Sequence, residues 1–387
     1  CAETFAADRA RVSESAPGAG MRYAHARIRL AYLSADFHQH ATAELIAGLI
    51  ERHDRTQFEV TAISFGHDDA SAMRARLMRA FDQFIDVRDK TDDGVADLLR
   101  QGEYDIAIDL KGHTEGARPA VLARRPCPLQ VGYLGYPGTI GAPWLDYILA
   151  DAVVLPFDQA PFYSEKIVHL PGCYQVNDET RPIGSAPPTR ALAGLPDDGF
   201  VFCCFNAAWK ITPAMFDVWM RLLGALPGSV LWMLGDNPVT IRNLRAAATV
   251  RGIDPGRLVF APRVAPADHL ARHKLADLFV DTLPYNAHTT ASDALWTGLP
   301  VVTCLGAAFD GRVAASLLFA AGLPDLVTRS IEQYEALALA LATDRARLAG
   351  VRETLAQNRL RTPLFDTDRF RRNIEQAYLR MMETLRS

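Results

Sequence analysis

Short apolar blocks alternate along this chain with stretches in which apolar residues recur every three to four positions. Residues 27–33 (Arg-Ile-Arg-Leu-Ala-Tyr-Leu) read as a buried strand, and 42–53 as a helix with Leu45, Ile46, Leu49 and Ile50 on one face. The alternation continues with strands at 58–64, 84–87, 104–110 and 130–134 and helices at 71–79 and 94–100. Strands and helices in strict alternation predict a parallel sheet covered on both faces by helices. The pattern weakens between 156 and 198, where Pro156, Pro161, Pro171, Pro182, Pro187, Pro188 and Pro196 cluster. A second series follows: strands at 200–205, 229–234, 258–260, 278–281 and 301–303, and helices at 213–226, 240–251, 290–298 and 312–321. Residues 367–386 read as one long amphipathic helix, and no repeat appears at periods of about 20–50 residues. The expected layout is an α/β protein of two Rossmann-like lobes, 26–195 and 196–387, the second carrying the terminal helix. Residues 1–25, Ala-rich and then Ser/Gly/Pro-bearing, read as the end of an upstream helical element and a linker.

Composition narrows this picture without redirecting it. A chain of 387 residues is too long for one core and fits two domains. With 49% hydrophobic and 22% charged residues it is a globular chain, and a net charge of -4 gives no basic stripe for nucleic acid. Its six cysteines form no Cys-x-x-Cys pair, so they read as reduced core residues of a cytoplasmic protein rather than as zinc or disulfide ligands. No apolar run is long enough to span a bilayer, and no signal-peptide pattern opens the chain.

Candidate chemistry collects at strand ends. After the strand ending at Asp281, the run His288-Thr289-Thr290-Ala291-Ser292-Asp293 opens a helix. Thr289 and Thr290 are N-cap types, and free amides with the positive dipole end make an anion site; His288 can add a donor, and Asp293 can accept from a ribose hydroxyl. An ordinary capped helix would share these residues. Asn206 and Lys210 lie in the loop before Pro213, which suits the first position of a helix. Lys210 is there either a solvated charge or a cation for a phosphate leaving group. In the first lobe, Asp36-Phe37-His38-Gln39-His40-Ala41-Thr42 links the first strand and helix. His40 can bind a substrate or move a proton, or Thr42 can simply cap the helix with His38 and His40 exposed. Gly135-Tyr136-Pro137-Gly138-Thr139 is a tight turn able to line a pocket with backbone amides. The one Asp-x-Asp string, Asp366-Thr367-Asp368, stands where the terminal helix should begin and reads as capping rather than as a divalent-cation site.

Taken in order, these motifs resemble the catalytic region of the O-GlcNAc transferase family. The matching segments are Asp36-Phe37-x-x-His40-x-Thr42, Gly135-Tyr136-Pro137-Gly138-Thr139, Phe205-Asn206-x-x-x-Lys210-Ile211 and His288-Thr289-Thr290-x-x-Asp293. Ser164-Glu165-Lys166, 229–232 and 312–316 also match. The resemblance, over 27–385, implies a GT-B fold with two lobes facing a cleft and a C-terminal helix. It implies a UDP-N-acetylglucosamine donor, a Ser or Thr acceptor on a protein or peptide, inversion at the anomeric carbon and no metal. By the same resemblance Lys210 holds the β-phosphate, Thr289 and Thr290 cap the diphosphate, and Asp293 binds ribose. Ala265, Ala267 and His269 frame the uracil with Arg272 nearby, Gly135 and Pro137 line the sugar pocket, and His40 and Thr42 lie at the sugar and acceptor end. A tetratricopeptide region upstream is implied as well; nucleic-acid or membrane partners are not. Two departures stand out: Ala207 where the family often has Gln or Asn, and Ala41 where a Pro is common. The family's fucosyl branch, which takes a GDP donor, lacks the His before the paired Thr, so His288 favours UDP; UDP-glucose, or a silent UDP-sugar-binding scaffold, are the remaining alternatives.

Overall fold

The computed structural model describes residues 2–4, 21–185 and 188–387. The linker expected over 1–25 therefore falls largely outside the described residues, as does Pro187. The chain divides into two compact units, residues 1–179 with 366–387, and residues 180–365.

The first unit is a seven-stranded parallel sheet in the order β3-β2-β1-β4-β5-β6-β7. Its strands are β1 (Ile28–Ser34), β2 (Phe58–Ser64), β3 (Gln83–Asp86), β4 (Ile106–Asp109), β5 (Leu129–Gly132), β6 (Tyr147–Ala150) and β7 (Lys166–His169). Helices α1 (Ala41–Arg52), α2 (Ala72–Ala80), α3 (Asp92–Gln101) and α4 (Pro119–Ala123) follow the first, second, third and fourth strands. Central strands are apolar on both faces because helices cover both: Leu30, Ala31, Tyr32, Ile106, Ala107 and Ile108 have no exposed surface. Ser71 caps α2 by accepting from the Arg74 amide, and Thr91 caps α3 by accepting from Gly94.

The second unit is a six-stranded parallel sheet, β10-β9-β8-β11-β12-β13. It comprises β8 (Val201–Cys204), β9 (Val230–Leu234), β10 (Leu258–Ala261), β11 (Leu278–Val280), β12 (Val301–Cys304) and β13 (Val327–Thr328). Its helices are α5 (Pro213–Ala225), α6 (Pro238–Val250), α7 (Pro266–Arg272), α8 (Thr289–Trp296), α9 (Val313–Ala320), α10 (Ile331–Thr343) and α11 (Arg345–Asn358). The last helix, α12 (Thr367–Arg386), belongs to the first unit.

Strand order reverses once in each sheet, at β1/β4 and at β8/β11. Loops leaving the carboxyl ends of those strands bound the crevice where open α/β sheets take ligands. The loops are 35–40 and 110–118 in the first unit, and 205–212 and 281–288 in the second.

Two expectations need correction. The division falls between Glu179 and Thr180, not at 195/196, because the later part of the proline-rich stretch, from Thr180 on, is tied into the second unit. The Gly184 amide bonds the Ala267 carbonyl at 2.9 Å, and Arg190 reaches Asp277 at 2.8 Å. The terminal helix packs on the first unit through polar groups that helical periodicity does not reveal. Tyr378 meets the Tyr32 hydroxyl at 3.1 Å, Glu375 meets His53 at 2.9 Å, and the Thr367 hydroxyl bonds the Asn177 carbonyl at 2.9 Å. No helix among the described residues is long and apolar enough to cross a membrane.

Candidate active site

In the second unit the loop 281–288 is built around one buried carboxylate. Asp281, 1% exposed, closes β11 and receives the amides of Thr282 (2.7 Å) and Ala287 (2.6 Å) and the Thr303 hydroxyl (2.7 Å). Burial pushes its carboxyl up to about 6 against these hydrogen bonds and the nearby Lys210 charge, all of which favour the ionised form. Asn206, from the end of β8, donates to Asp281 (3.3 Å) and to the Thr282 hydroxyl (2.7 Å). Its amide oxygen accepts from the Thr290 hydroxyl. The loops after β8 and β11 are thus cross-braced where the strand order reverses.

Lys210 ends a single 3-10 turn (Ala208–Lys210) and donates from Nζ to the Asn286 carbonyl at 2.8 Å. Its ammonium lies 4.1 Å from the Tyr285 ring centroid and 5.5 Å from that of Trp209. Burial brings its pKa down to about 8, with Asp281, Cys204 and Asp310 opposing.

Helix α8 begins as expected, but its cap does not. His288, not Thr289 or Thr290, occupies the N-cap position, and it makes no side-chain cap bond. The Thr hydroxyls cannot reach back across the first turn once both threonines are inside it. The amides of Thr289 and Thr290 precede the first intrahelical bonds, from Ala291 and Ser292 to the His288 carbonyl. Two backbone N–H groups therefore remain outside the intrahelical ladder at the helix start, with the hydroxyls beside them. His288 does not add a donor there: its Nε2 contacts the Asp310 carbonyl at 3.1 Å, which takes the ring proton. Burial and the Lys210 charge keep the imidazole neutral, pushing its pKa down to about 3.

Asp293 is also more engaged than its sequence position suggested. Arg181 donates to its Oδ1 at 2.6 Å, and His269 Nε2 stands 3.9 Å from Oδ2. In α7, Arg272 donates to His269 Nδ1 and to the Pro262 carbonyl (2.6 Å), with its guanidinium 4.5 Å from the Phe205 ring centroid. Ala265 is the N-cap of α7 and makes no side-chain cap bond. The Ala267 carbonyl is taken by Gly184. Beside this helix lies a cavity of about 940 Å3 lined in part by Trp232, Phe260, Val264, Asp268 and Arg272.

In the first unit His40, not Thr42, is the N-cap of α1: its Nδ1 accepts from the Thr42 amide at 3.2 Å, and Thr42 is buried. Asp36 Oδ2 stands 3.6 Å from His40 Nδ1, and Lys111 grips both Asp36 oxygens at 2.9 and 2.7 Å. The Gly135–Thr139 turn passes so close to β4 that a Cβ on Gly135 would fall 1.8 Å from the Leu110 carbonyl oxygen, so only glycine fits. Pro137 lies in this turn. Glu165, 4% exposed, pins it by accepting from the Thr139 hydroxyl (2.6 Å) and the Ile140 amide (2.6 Å), which gives the Ser164-Glu165 motif its structural reason. At the start of α12, Asp366 accepts from the Arg369 amide, and Asp368 pairs with Arg371 and Arg372.

Sequence reasoning missed Asp281, Arg181 and Lys111 as site residues. Asp281 was findable, as a carboxylate directly ending an apolar strand. Arg181 sits in the proline-rich stretch with no periodic signal, and Lys111 gains meaning only from strand order.

Comparison with known proteins fits this geometry. The profile described as glycosyl transferase family 41 matches residues 19–185 and 179–374. The probable UDP-N-acetylglucosamine–peptide N-acetylglucosaminyltransferase SEC of Arabidopsis thaliana is 36% identical over 361 residues, 92% of this chain and 37% of that protein. A solved mutant of the Thermobaculum terrenum O-GlcNAc transferase has a TM-score of 0.91 at 34% identity, covering 99% of this chain and 73% of that one. An Anabaena HepE structure in complex with UDP and glucose shares the fold alone, with a TM-score of 0.61 at 15% identity over 91% of this chain and 99% of that chain. The expected α/β fold of GT-B type is therefore present, as two Rossmann-like units and a C-terminal helix. On the profile match and the 36% relative, the chain belongs to glycosyl transferase family 41.

Proposed function

We propose that this chain transfers N-acetylglucosamine from UDP-N-acetylglucosamine to Ser or Thr hydroxyls of proteins, with inversion and without a metal. The carrying observation is the pairing of a cation with a helix start in one braced loop system: Lys210 bonds Asn286, three residues before α8 begins. Positive charge and free amides suit a diphosphate whose charge grows as the sugar bond breaks. Asp293 takes the ribose, α7 and Arg272 the base, and His40 and Thr42 the sugar and acceptor end. Metal independence is supported by the engagement of Asp366 and Asp368 as helix cap and ion-pair partners, which removes the one Asp-x-Asp string from cation duty. The chain spans 37% of the SEC relative's length, and a tetratricopeptide region upstream, with a cytoplasmic setting, completes the reading.

The test is incubation with UDP-N-acetylglucosamine and a peptide mixture in EDTA, followed by mass spectrometry, alongside calorimetric titration with UDP and GDP. Transfer with tighter UDP than GDP binding is expected. UDP binding with neither transfer nor donor hydrolysis would make the chain a silent scaffold, and tighter GDP binding would redirect the donor.

The Lys210 ammonium also sets a pH limit. Its pKa, brought down to about 8 by burial, means the free enzyme loses the charge as pH rises through that value. The kcat/KM profile should therefore fall on an alkaline limb near pH 8. Asp281→Asn removes a charge that favours the ammonium while leaving a carbonyl to accept the loop amides. The limb should move to lower pH in that variant; an unmoved limb would separate it from Lys210.

A further inference from the structure

The loop that carries His40 holds a buried ion pair that the proposed chemistry does not use. Lys111, 4% exposed, arrives from the end of β4 and binds Asp36, 7% exposed, with both oxygens within 2.9 Å. Asp36 is itself fixed, since its amide donates to the Ser34 hydroxyl at 2.9 Å. Its Oδ2 is 3.6 Å from His40 Nδ1, beyond a hydrogen bond but near enough that a small shift, once the lysine let go, would let it accept one from a protonated Nδ1.

His40 Nδ1 is already an acceptor, for the Thr42 amide at 3.2 Å. A neutral imidazole with Nδ1 accepting carries its proton on Nε2. The positive end of α1, capped by this same ring, disfavours a second proton. The other charged or titratable groups around the ring are His38 beside it, with ring centroids 5.8 Å apart, and Lys111. Behind His38 stand His67 (4.3 Å between centroids), Asp69 (3.8 Å) and Arg74. Gln39 donates to Glu44 on α1. Asp36 is the group that pulls His40 toward the charged form, and its two oxygens are in the lysine's grip.

We propose that Lys111 is a positioning residue that occupies the Asp36 carboxylate and so holds His40 as the neutral, Nε2-protonated tautomer. His40 then offers its outer nitrogen as a hydrogen-bond donor and has no lone pair there to accept a proton. Lys111 touches no reacting atom in this scheme; it acts through Asp36. Its consequence for transfer rests on the proposed function, but the state of the ring does not.

Histidine-selective 15N labelling with long-range proton–nitrogen correlation spectra reads the tautomer directly, and His40→Gln assigns the signal. In the donor-free wild-type chain, His40 should show a protonated Nε2 and a titration midpoint below 6.5, since partial desolvation of the ring and the nearby Lys111 charge disfavour the imidazolium. Lys111→Met frees Asp36: the proton should move to Nδ1, and the midpoint should rise by about one pH unit. Lys111→Arg should restore the wild-type state. Asp36→Asn combined with Lys111→Met removes both charges and should return the proton to Nε2, even if the single variant folds poorly. A protonated Nδ1 in the wild type, or a ring in Lys111→Met that titrates as in the wild type, would overturn the proposal. If transfer is measurable, the acid limb of kcat/KM should follow the midpoint in each variant. Spectra that behave as expected in a chain without transferase activity would sink the functional reading and leave this one standing.

Discussion

Lys210→Ala is expected to lower turnover by roughly 10²–10³-fold while weakening UDP binding by less than about tenfold. The asymmetry follows from when charge appears. In the ground state the diphosphate is already anionic, and the α8 amides can hold it. As the sugar–phosphate bond breaks, another charge gathers on the leaving β-phosphate, and only a group aimed there lowers the barrier selectively. Lys210 is prepared for that task. One of its three N–H donors is spent on Asn286, and the Tyr285 ring beneath it replaces water with an aromatic face. A half-buried ammonium of this kind needs no reorganisation as the reaction proceeds. Single-turnover rates and calorimetric UDP affinities on the same variant provide the check. Equal losses in both would mean that Lys210 binds ground state and transition state alike.

The largest effect on stability is expected from Glu375→Ala, about 3–5 kcal/mol in equilibrium urea unfolding. Glu375 is 3% exposed and accepts from His53 Nδ1 (2.9 Å), the Asp54 amide (2.8 Å) and Arg371 (2.9 Å). His53 Nε2 in turn faces the Tyr32 hydroxyl at 2.9 Å, which meets Tyr378. Neutral His53, donating to Glu375 and accepting from Tyr32, satisfies each of these groups. Truncating the carboxylate strands the imidazole N–H and the Asp54 amide at once. The same network fixes a pH dependence. Burial holds the folded His53 pKa below its ordinary 6.5, so the unfolded chain takes up the proton more readily. Stability is therefore complete above about pH 6.5 and declines as pH falls through it. Burial raises the Glu375 pKa, but its bonds from His53 and Asp54 outweigh that and leave it below 4.5, which adds a second loss of the same sign at lower pH. Stability that rose on acidification from pH 7 would contradict the neutral His53 assignment.

The two parallel sheets were legible because their central strands are short apolar blocks between helical spacings; β2 and α12 have the bounds the pattern predicts. Among the elements that escaped, which include α4, α7 and α11, two kinds are instructive. β6, β7 and β13 are two to four residues long, and β7, between Pro161 and Pro171, is an edge strand with no fully buried residue. In contrast α10 places Tyr334, Ala338 and Leu341 on its buried face at helical spacing, so its signal was present in an Ala/Leu-rich stretch that blurs the polar side. At the candidate site, residue types at strand ends pointed to Lys210, His40 and the 288–293 run, and the structure places them in the segments that follow β8, β1 and β11. What they engage was not legible: the Asp293–Arg181 pair and the His288–Asp310 contact join residues far apart in sequence.

The placement of α12 has a consequence for how the molecule is made. Residues 180–365 are one uninterrupted segment, whereas the first unit is completed only by 366–387. During synthesis the second unit can close while the first still lacks the helix that buries Tyr32 and His53. A premature stop a few residues before 367 would therefore injure the first unit, the earlier made of the two, and spare the second.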